Sequence, residues 1–341
     1  MNNISSMRIF LYLIIVPFCL SSCREYSDHY SAEHREGWDA AYISFTSSHA
    51  QIAILPDKNE SKNIVRSFDR AQKRIWVEIY TWTEKETLDA LIRAHWRGVD
   101  TRVILEGNVY GTPRINNDSF ARLQNAGIDA IYADNDRYNF THAKFWMIDD
   151  TYCVSTGNLT SSLFQKNRDF ILCDTHPDVL STLSILFIAD QKKELPIFPW
   201  MIPMNIFISP IDMRSRLNTL LQKAQKTLYV YVQSAYDSEI LTLLQKQYTK
   251  WIDVRLCVSD GDGIGSIGWY SFPIVYMQKP YLHAKAIMID HTAILMGSIN
   301  LTKNAIDNNR EVALLYEKSP EMTKVIESRF MDDCFPQKFA K

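Results

Sequence analysis

The sequence predicts an α/β fold of two similar α/β/α lobes, and three observations support this prediction. A polar motif that begins at His142 returns 141 positions later, at His283. Upstream of each motif a second segment is repeated, since residues 71–77 resemble residues 224–230. Finally, apolar runs of strand length alternate with runs of helical spacing, as they do in lobes that bury a sheet between helices.

The elements of the first lobe follow in order. Three runs rich in apolar, β-branched and aromatic residues predict strands at 51–55, 74–80 and 101–105. Between them, helical spacing predicts helices at 63–71 and 84–96, the second with Leu88, Leu91 and Ile92 on one face. The second half repeats the last two strands near 227–230 and 253–257. It lacks about a dozen residues before its own histidine strand, because the upstream segments lie 153 positions apart and the motifs 141.

The N-terminus predicts export. Arg8 precedes an apolar run of twelve residues, 9–20, which is too short to span a bilayer comfortably. Small residues then lead to Cys23, so residues 1–22 have the layout of a signal peptide that resembles a bacterial lipobox. This predicts an exported protein held on a bacterial membrane, at its periplasmic or extracellular face, by an acylated Cys23. A plain cleaved signal and an uncleaved anchor are the alternatives.

Length and proline content set the predicted boundaries. With 341 residues the chain exceeds the size that one core usually serves. Residues 23–49 show no clear period and predict a tether. Pro196, Pro199 and Pro203 mark a boundary, which gives a first lobe at 50–195 and a second at 196–341.

Charge and cysteine usage narrow the partners. Without residues 1–22 the chain carries 36 basic and 39 acidic side chains, so nucleic acid is a possible but not a favoured partner. No C-x-x-C spacing occurs, so we expect neither a metal nor another cofactor. Cys153 and Cys173 lie in segments predicted to be neighbouring strands. A disulfide between them and buried free thiols are both open, and the thiols are favoured.

The repeated motif carries the chemistry. It supplies a histidine, a lysine, an aspartate, an asparagine and a more distant acid in each half. The first copy comprises His142, Lys144, Asp149, Asn158 and Asp169, and the second comprises His283, Lys285, Asp290, Asn300 and Glu311. A single H-x-K-x4-D match has little specificity, but two copies with matched downstream residues predict one site built from two halves.

This pattern resembles the phospholipase D superfamily, whose signature is H-x-K-x4-D-x6-G-S-x-N. The second copy fits fully and ends in Gly297, Ser298 and Asn300. The first copy is one residue shorter and has no serine after its glycine, so the Ser298 hydroxyl has no direct counterpart there, and Thr156 and Thr160 are the candidates to replace it. The resemblance covers residues 50–335. It implies a monomer whose lobes contain mixed sheets related by a pseudo-twofold axis, and covalent chemistry that needs no metal.

Strand periodicity separates the motif residues by role. In a predicted strand over 141–148, His142 and Lys144 share one face, whereas Asp149 has the opposite parity. We therefore expect Asp149 and Asp290 to be structural and to accept backbone hydrogen bonds at a turn.

Two His-Lys pairs facing each other suit a phosphodiester, because lysines and amides can surround its oxygens. The resemblance implies that one histidine forms a phosphohistidine, usually the N-terminal one. We expect His142 to be the nucleophile and His283 the general acid, with Asp169 and Glu311 holding the distal ring nitrogens. Substrate oxygens are assigned to Asn158, Asn300, Ser298 and Thr156. The alternatives are solvated lysines, helix-capping asparagines and surface acids.

Three enzymatic functions fit this site. The favoured hypothesis is a phospholipase D-like phosphodiesterase that hydrolyses or transfers a phospholipid headgroup. The main alternative is an endonuclease for DNA or RNA, and the second is a cardiolipin-synthase-like phosphatidyltransferase, ranked lower because the sequence lacks a long transmembrane run. A non-catalytic binding module is a further alternative, since the first motif is shortened near Asn158.

Overall fold

The computed structural model describes residues 43–44, 50–193, 202–259 and 270–336. Asp39–Lys341 forms one compact unit. The predicted signal peptide, Cys23 and the predicted lobe boundary at 195/196 lie outside the described residues, as does the predicted tether except for residues 43–44. None of the helices in the described ranges is both long and apolar enough to cross a membrane.

The first lobe alternates strands and helices up to residue 132 and then continues mainly as antiparallel strands. Its elements are β1 (Ile43–Ser44), β2 (Gln51–Leu55), α1 (Glu60–Arg70), β3 (Arg74–Ile79), α2 (Lys85–Trp96), β4 (Asp100–Leu105), α3 (Asn117–Asn125), β5 (Asp129–Tyr132), β6 (Lys144–Ile148), β7 (Thr151–Ser155), α4 (Ser161–Gln165), β8 (Asn167–Asp174) and α5 (Pro177–Gln191).

The second lobe repeats this plan. Its elements are β9 (Ile206–Ser209), α6 (Met213–Gln222), β10 (Thr227–Val232), α7 (Ser238–Tyr248), β11 (Asp253–Ser259), β12 (Ile274–Met277), β13 (Tyr281–Leu282), β14 (Lys285–Ile289), β15 (Ala293–Gly297), α8 (Lys303–Asp307), β16 (Glu311–Tyr316) and α9 (Pro320–Cys334). The connection between β11 and β12 is shorter than that between β4 and β5.

The two sheets have the same strand order. The first runs β1-β2-β8-β7-β6-β3-β4-β5. The second, listed in the same direction, runs β9-β16-β15-β14-β10-β11-β12. In each sheet, two strands that are connected by a helix pair in parallel, β3 with β4 and β10 with β11. The motif strands β6 and β14 pair antiparallel with β3 and β10. Both sheets are therefore mixed, and the second repeats the first from β2 onward. The predicted fold of two similar α/β lobes with mixed sheets is confirmed.

One apolar cluster joins the lobes. It contains side chains from the first sheet, such as Phe145, and from the second, such as Met288. Phe187 of α5 and Phe330 of α9 complete it. Because these fully buried side chains come from both lobes, the two lobes share one hydrophobic core.

The predicted elements of the first lobe agree closely with the structure. The strands at 51–55, 74–80 and 101–105 correspond to β2, β3 and β4 within one residue, while α1 begins three residues earlier than predicted. The Glu84 carboxylate caps α2 by accepting a 2.7 Å hydrogen bond from the Thr87 N–H. Regular strand β6 begins at Lys144, so His142 precedes it.

The favoured hypothesis of free thiols at Cys153 and Cys173 is wrong. These residues face each other in register on β7 and β8, and their sulfur atoms are bonded. A second disulfide, between Cys257 and Cys334, ties β11 to α9. The strand pattern predicted neighbouring strands for the first pair, but no sequence pattern indicates the second, whose partners are 77 residues apart.

Candidate active site

The segment before each motif histidine pairs with the opposite lobe. The His142 N–H donates to the Arg310 carbonyl at 2.9 Å, and the His283 N–H donates to the Arg168 carbonyl at 3.1 Å. Strand β13, just before His283, pairs in parallel with the start of β8. Thr141 makes the matching parallel bridge to Arg310. Each histidine is therefore attached to the lobe that does not contain it.

The motif acids follow the same crossed arrangement. The His142 Nδ1 lies 3.0 and 2.9 Å from the two carboxylate oxygens of Glu311. The His283 Nδ1 lies 3.0 and 3.2 Å from those of Asp169. Each acid thus contacts the histidine of the other lobe. A carboxylate at Nδ1 favours the tautomer with its proton there, which leaves the Nε2 lone pair free for chemistry.

Both motif lysines are buried beside these pairs. The Lys144 ammonium donates to the His142 carbonyl at 2.6 Å, and the Lys285 ammonium donates to the Thr156 carbonyl at 3.1 Å. Their exposed fractions are 0% and 3%. These values do not fit the alternative of solvated strand-end lysines, because lysine is almost never fully buried without a specific partner.

Burial and charge set the protonation of the site. Burial lowers the pKa of His142 to about 4, an effect that Glu311 opposes and that Lys144 and Lys285 reinforce. The pKa of His283 is lowered for the corresponding reasons. Both imidazoles are thus neutral at pH 7 in the free site.

The lysines and acids respond to the same surroundings. Burial lowers the pKa of Lys285 to about 8 and that of Lys144 well below its ordinary value. Burial alone would raise the pKa of Asp169 and Glu311, but the adjacent histidines and lysines lower both. The two carboxylates therefore stay ionised and can hold the Nδ1 protons of the histidines.

Thr156 occupies the place of Ser298. The Thr156 hydroxyl accepts from the Phe170 N–H at 2.9 Å, and the Ser298 hydroxyl accepts from the Val312 N–H at 3.0 Å. Thr156 also donates to Asp169 at 2.6 Å. Ser298 correspondingly helps to lower the pKa of Glu311. The two halves therefore present equivalent hydroxyls, and Thr160 is not required for this role.

The one-residue difference in length between the two motifs falls in a turn. Asp149 and Asp150 alone connect β6 to β7, whereas residues 290–292 connect β14 to β15. From Thr156 onward the halves are in register. A side chain at Gly157 would collide with Leu163 and Asp169, which explains glycine there. The shortened motif is thus no argument for a degenerate first half.

The motif asparagines are not the helix caps. Thr160 is the N-cap of α4, and Thr302 is the N-cap of α8 with its hydroxyl accepting from the Ala305 N–H. The Asn300 side-chain oxygen accepts from the Ser234 N–H at 3.3 Å. The Asn158 side-chain oxygen is buried without a hydrogen-bond partner in the described part of the protein.

The structure places Asp149 and Asp290 away from the histidines, at the far end of each motif strand. Asp149 accepts backbone N–H groups of residues 72–74 at 2.7 to 3.1 Å. Asp290 accepts those of residues 225–227 at 2.6 to 3.0 Å. Both adopt positive φ, 50° and 52°, which aspartate tolerates at turns.

An aromatic path that sequence analysis missed leads from the site to the surface. The Tyr80 ring packs edge-on against His142 at 4.7 Å, and Phe140 lies 6.1 Å from Tyr80. Tyr110 lies 6.5 Å from Phe140 and is 84% exposed. Its backbone N–H donates to the Tyr80 hydroxyl at 2.8 Å. Ile115, on the same loop, is also exposed. No sequence pattern indicates this path, because Tyr80 and Tyr110 lie 30 residues apart and only the fold brings them together.

Comparison with known proteins identifies the family. A family model described as "Cardiolipin synthase, PLD-like domain" matches residues 64–190 and 217–334. The probable cardiolipin synthase YwiE of Bacillus subtilis (strain 168) is 21% identical over 343 residues, which cover 86% of this chain and 68% of the relative.

Two solved structures share the fold. Phosphatidylserine synthase of Haemophilus influenzae Rd KW20 superposes with a TM-score of 0.63 at 14% identity, over 86% of this chain and 88% of that one. Polyphosphate kinase of Porphyromonas gingivalis gives 0.65 at 14% identity, over 82% of this chain and 49% of the kinase. This chain thus spans about half of the kinase. Because the family model covers most of both lobes, the protein belongs to the phospholipase D superfamily, as the motifs predicted.

Proposed function

We propose that this protein is a phosphatidyltransferase, which moves the phosphatidyl group of a phospholipid to an alcohol through a phosphohistidine. The observation that carries this proposal is the crossed pair of histidine–carboxylate contacts with two buried lysines beside them. The sequence alone grouped hydrolysis with transfer and ranked a cardiolipin-synthase-like enzyme lower. The match to a cardiolipin synthase family model now supports transfer.

The first step uses His142 as nucleophile. Glu311 holds a proton on Nδ1, so the neutral Nε2 attacks phosphorus. A P–N bond forms while the P–O bond to the leaving alcohol breaks. Lys144 and Lys285 offset the negative charge on the non-bridging oxygens as it redistributes.

His283 supplies the proton for the leaving group. Its pKa is low in the free site, but a bound phosphodiester anion raises it, because a nearby negative charge favours the imidazolium. Asp169 holds Nδ1, so Nε2 carries the proton that passes to the departing alkoxide. The acceptor alcohol then gives its proton to His283 and attacks phosphorus, and the P–N bond breaks to restore His142.

Limited solvent access supports transfer over hydrolysis. The His142 and His283 side chains are only 14% and 11% exposed. Water competes with the acceptor alcohol for the phosphohistidine, and a site with little open volume reduces that competition. We therefore assign hydrolysis as a side reaction.

A phospholipid fits the surroundings better than a nucleic acid does. Tyr110 and Ile115 expose apolar surface on the loop beside His142, which suits the glycerol and upper acyl region of a lipid. The chain has a net charge of −2, whereas proteins that bind nucleic acid non-specifically are normally basic.

The test is incubation of the purified protein with vesicles of fluorescent phosphatidylglycerol plus an alcohol acceptor, and separately with single-stranded DNA. We expect a new phosphatidyl product from the vesicles, intact DNA, and no turnover by His142→Ala. Release of phosphatidic acid as the sole product would replace transfer by hydrolysis. Cleavage of DNA alone would overturn the lipid assignment.

We also propose that the protein is an exported, monomeric lipoprotein attached to a membrane through Cys23. Two disulfides within the described residues support an oxidising compartment. Metabolic labelling with a radioactive fatty acid should mark the wild type and not Cys23→Ser. Labelling of both proteins, or of neither, would contradict the anchor.

A further inference from the structure

Two arginine–aspartate pairs cross the lobe boundary next to the histidine–carboxylate pairs. Arg310 directly precedes Glu311, and its guanidinium binds Asp190 of α5 in the first lobe at 2.7 and 2.9 Å. Arg168 directly precedes Asp169, and its guanidinium binds Asp333 of α9 in the second lobe at 2.6 and 3.3 Å.

Each arginine side chain also donates to a strand of its own lobe. The Arg310 side chain donates to the carbonyl of Ser209, the last residue of β9, at 2.9 Å. The Arg168 side chain donates to the carbonyl of Leu55, the last residue of β2. Strands β2 and β9 occupy equivalent places in the two sheets. Each arginine therefore joins one of these strands, in its own lobe, to the last helix of the other lobe.

The main chain of each arginine leads directly to the site. The Arg310 carbonyl accepts the His142 N–H, and the Arg168 carbonyl accepts the His283 N–H. The guanidinium thus fixes a residue whose backbone holds one histidine and whose neighbour is the carboxylate for that same histidine. The separation of each ring from its acid therefore depends on where the arginine is held.

Burial distinguishes these pairs from ordinary surface ion pairs. Arg310 is 2% exposed and Arg168 is 7% exposed. A tyrosine completes each set: Tyr138 accepts from Arg310, and Tyr231 donates to Asp333 at 2.6 Å. Buried ion pairs often add little stability over apolar contacts but do fix geometry.

We propose that Asp190–Arg310 and Asp333–Arg168 are positioning pairs, each responsible for one half of the chemistry. The first sets His142 against Glu311 and so governs attack on phosphorus. The second sets His283 against Asp169 and so governs proton transfer to and from the alcohols. This division rests on the roles given under the proposed function, whereas the positioning itself does not.

The matched variants are Asp190→Asn and Asp333→Asn, which keep side-chain volume and remove one buried charge. The two substrates are phosphatidylglycerol and phosphatidyl-p-nitrophenol, whose leaving group departs without a proton. Asp333→Asn should slow transfer from phosphatidylglycerol about tenfold and leave the first-turnover burst of p-nitrophenol within about twofold of wild type. Asp190→Asn should slow both reactions about tenfold, because both need the nucleophile.

A merely structural role predicts something else. Both variants would then lose activity on both substrates alike, in proportion to their loss of thermal stability, and that result would overturn the proposal.

A second measurement does not need activity. In NMR spectra of ¹⁵N-histidine-labelled protein, Asp190→Asn should shift the Nδ1 proton of His142 alone, and Asp333→Asn that of His283 alone. Unshifted or jointly shifted signals would contradict separate positioning. A wild type that converts neither lipid would refute the proposed function, and these spectra would still decide the positioning.

Discussion

The two halves of the site share their strands and motif but differ in the side chain that directly follows β3 and β10. After β3, Tyr80 packs against His142, and its ring lies 5.3 Å from the Lys144 ammonium. At the equivalent position after β10, Gln233 instead donates to the Tyr281 hydroxyl at 3.0 Å. One half therefore places an aromatic ring against its histidine, whereas the other has an amide that contacts Tyr281 at the equivalent position.

The acids differ as well. Thr156 contacts Asp169 and Ser298 contacts Glu311, but Glu311 receives a further hydrogen bond of 3.1 Å from the Asn309 side chain. A duplicated motif thus provides two histidines in unequal surroundings. Such inequality is what allows one imidazole to attack while the other carries a proton.

Removing either acid should give the largest effect and separate the halves. Glu311→Gln should slow p-nitrophenol release and lipid transfer about a hundredfold or more, because His142 loses the partner that fixes its tautomer. Asp169→Asn should slow transfer from phosphatidylglycerol similarly but spare the p-nitrophenol burst. Stopped-flow measurement of both substrates checks this. Equal losses of rate on both substrates would show that the two halves do not have separate roles in attack and proton transfer.

The pH dependence of anion binding should reveal Lys285. Its pKa of about 8 means that the free site loses this positive charge as pH rises through about 8. The Kd for a phosphonate analogue, whose charge is constant there, should then rise by up to about tenfold per pH unit. Titration calorimetry from pH 6 to 10 measures it. Lys285→Arg, which keeps its charge, should remove the rise, and an unchanged profile would exclude Lys285 as its source.

Exchanging the side chains at positions 80 and 233 should give the smallest effect on the reaction rate. Burial is the main cause of the low pKa of His142, so Tyr80→Gln should raise that pKa and change the rate only about two- to threefold. Histidine NMR titration measures the shift, with Gln233→Tyr as the reciprocal control that should lower the pKa of His283. A pKa of His142 that stays at about 4 in Tyr80→Gln would show that the ring does not distinguish the halves.

Much of the fold followed from repetition in the sequence. The apolar runs located β2, β3 and β4, because buried strands leave a strong local pattern. The duplication predicted the second sheet. The spacing showed that the first motif is one residue shorter but left both Thr156 and Thr160 open, because a one-residue change in spacing does not reveal where it lies. In the structure the hairpin turn after Asp149 absorbs it, as turns tolerate changes in length better than paired strands do.

The crossed contacts could not be predicted from spacing. Asp169 follows His142 by 27 residues and Glu311 follows His283 by 28, and neither distance states which lobe an acid faces. The positioning pairs left one faint signal, an arginine directly before each acid. The aspartates of these pairs lie on helices of the opposite lobe, far from the arginines in sequence. Only the packing of the two lobes against each other brings them close to the arginines. Long-range pairing of this kind depends on tertiary structure rather than on local pattern.

The most direct test of the account is the location of the covalent intermediate. Rapid quenching of the reaction with phosphatidyl-p-nitrophenol, followed by peptide mapping under alkaline conditions, identifies the modified residue. The account predicts a phosphatidyl group on His142 in wild type and in His283→Ala, and none in His142→Ala. A modified His283 in the wild type, or turnover without any phosphohistidine, would contradict it.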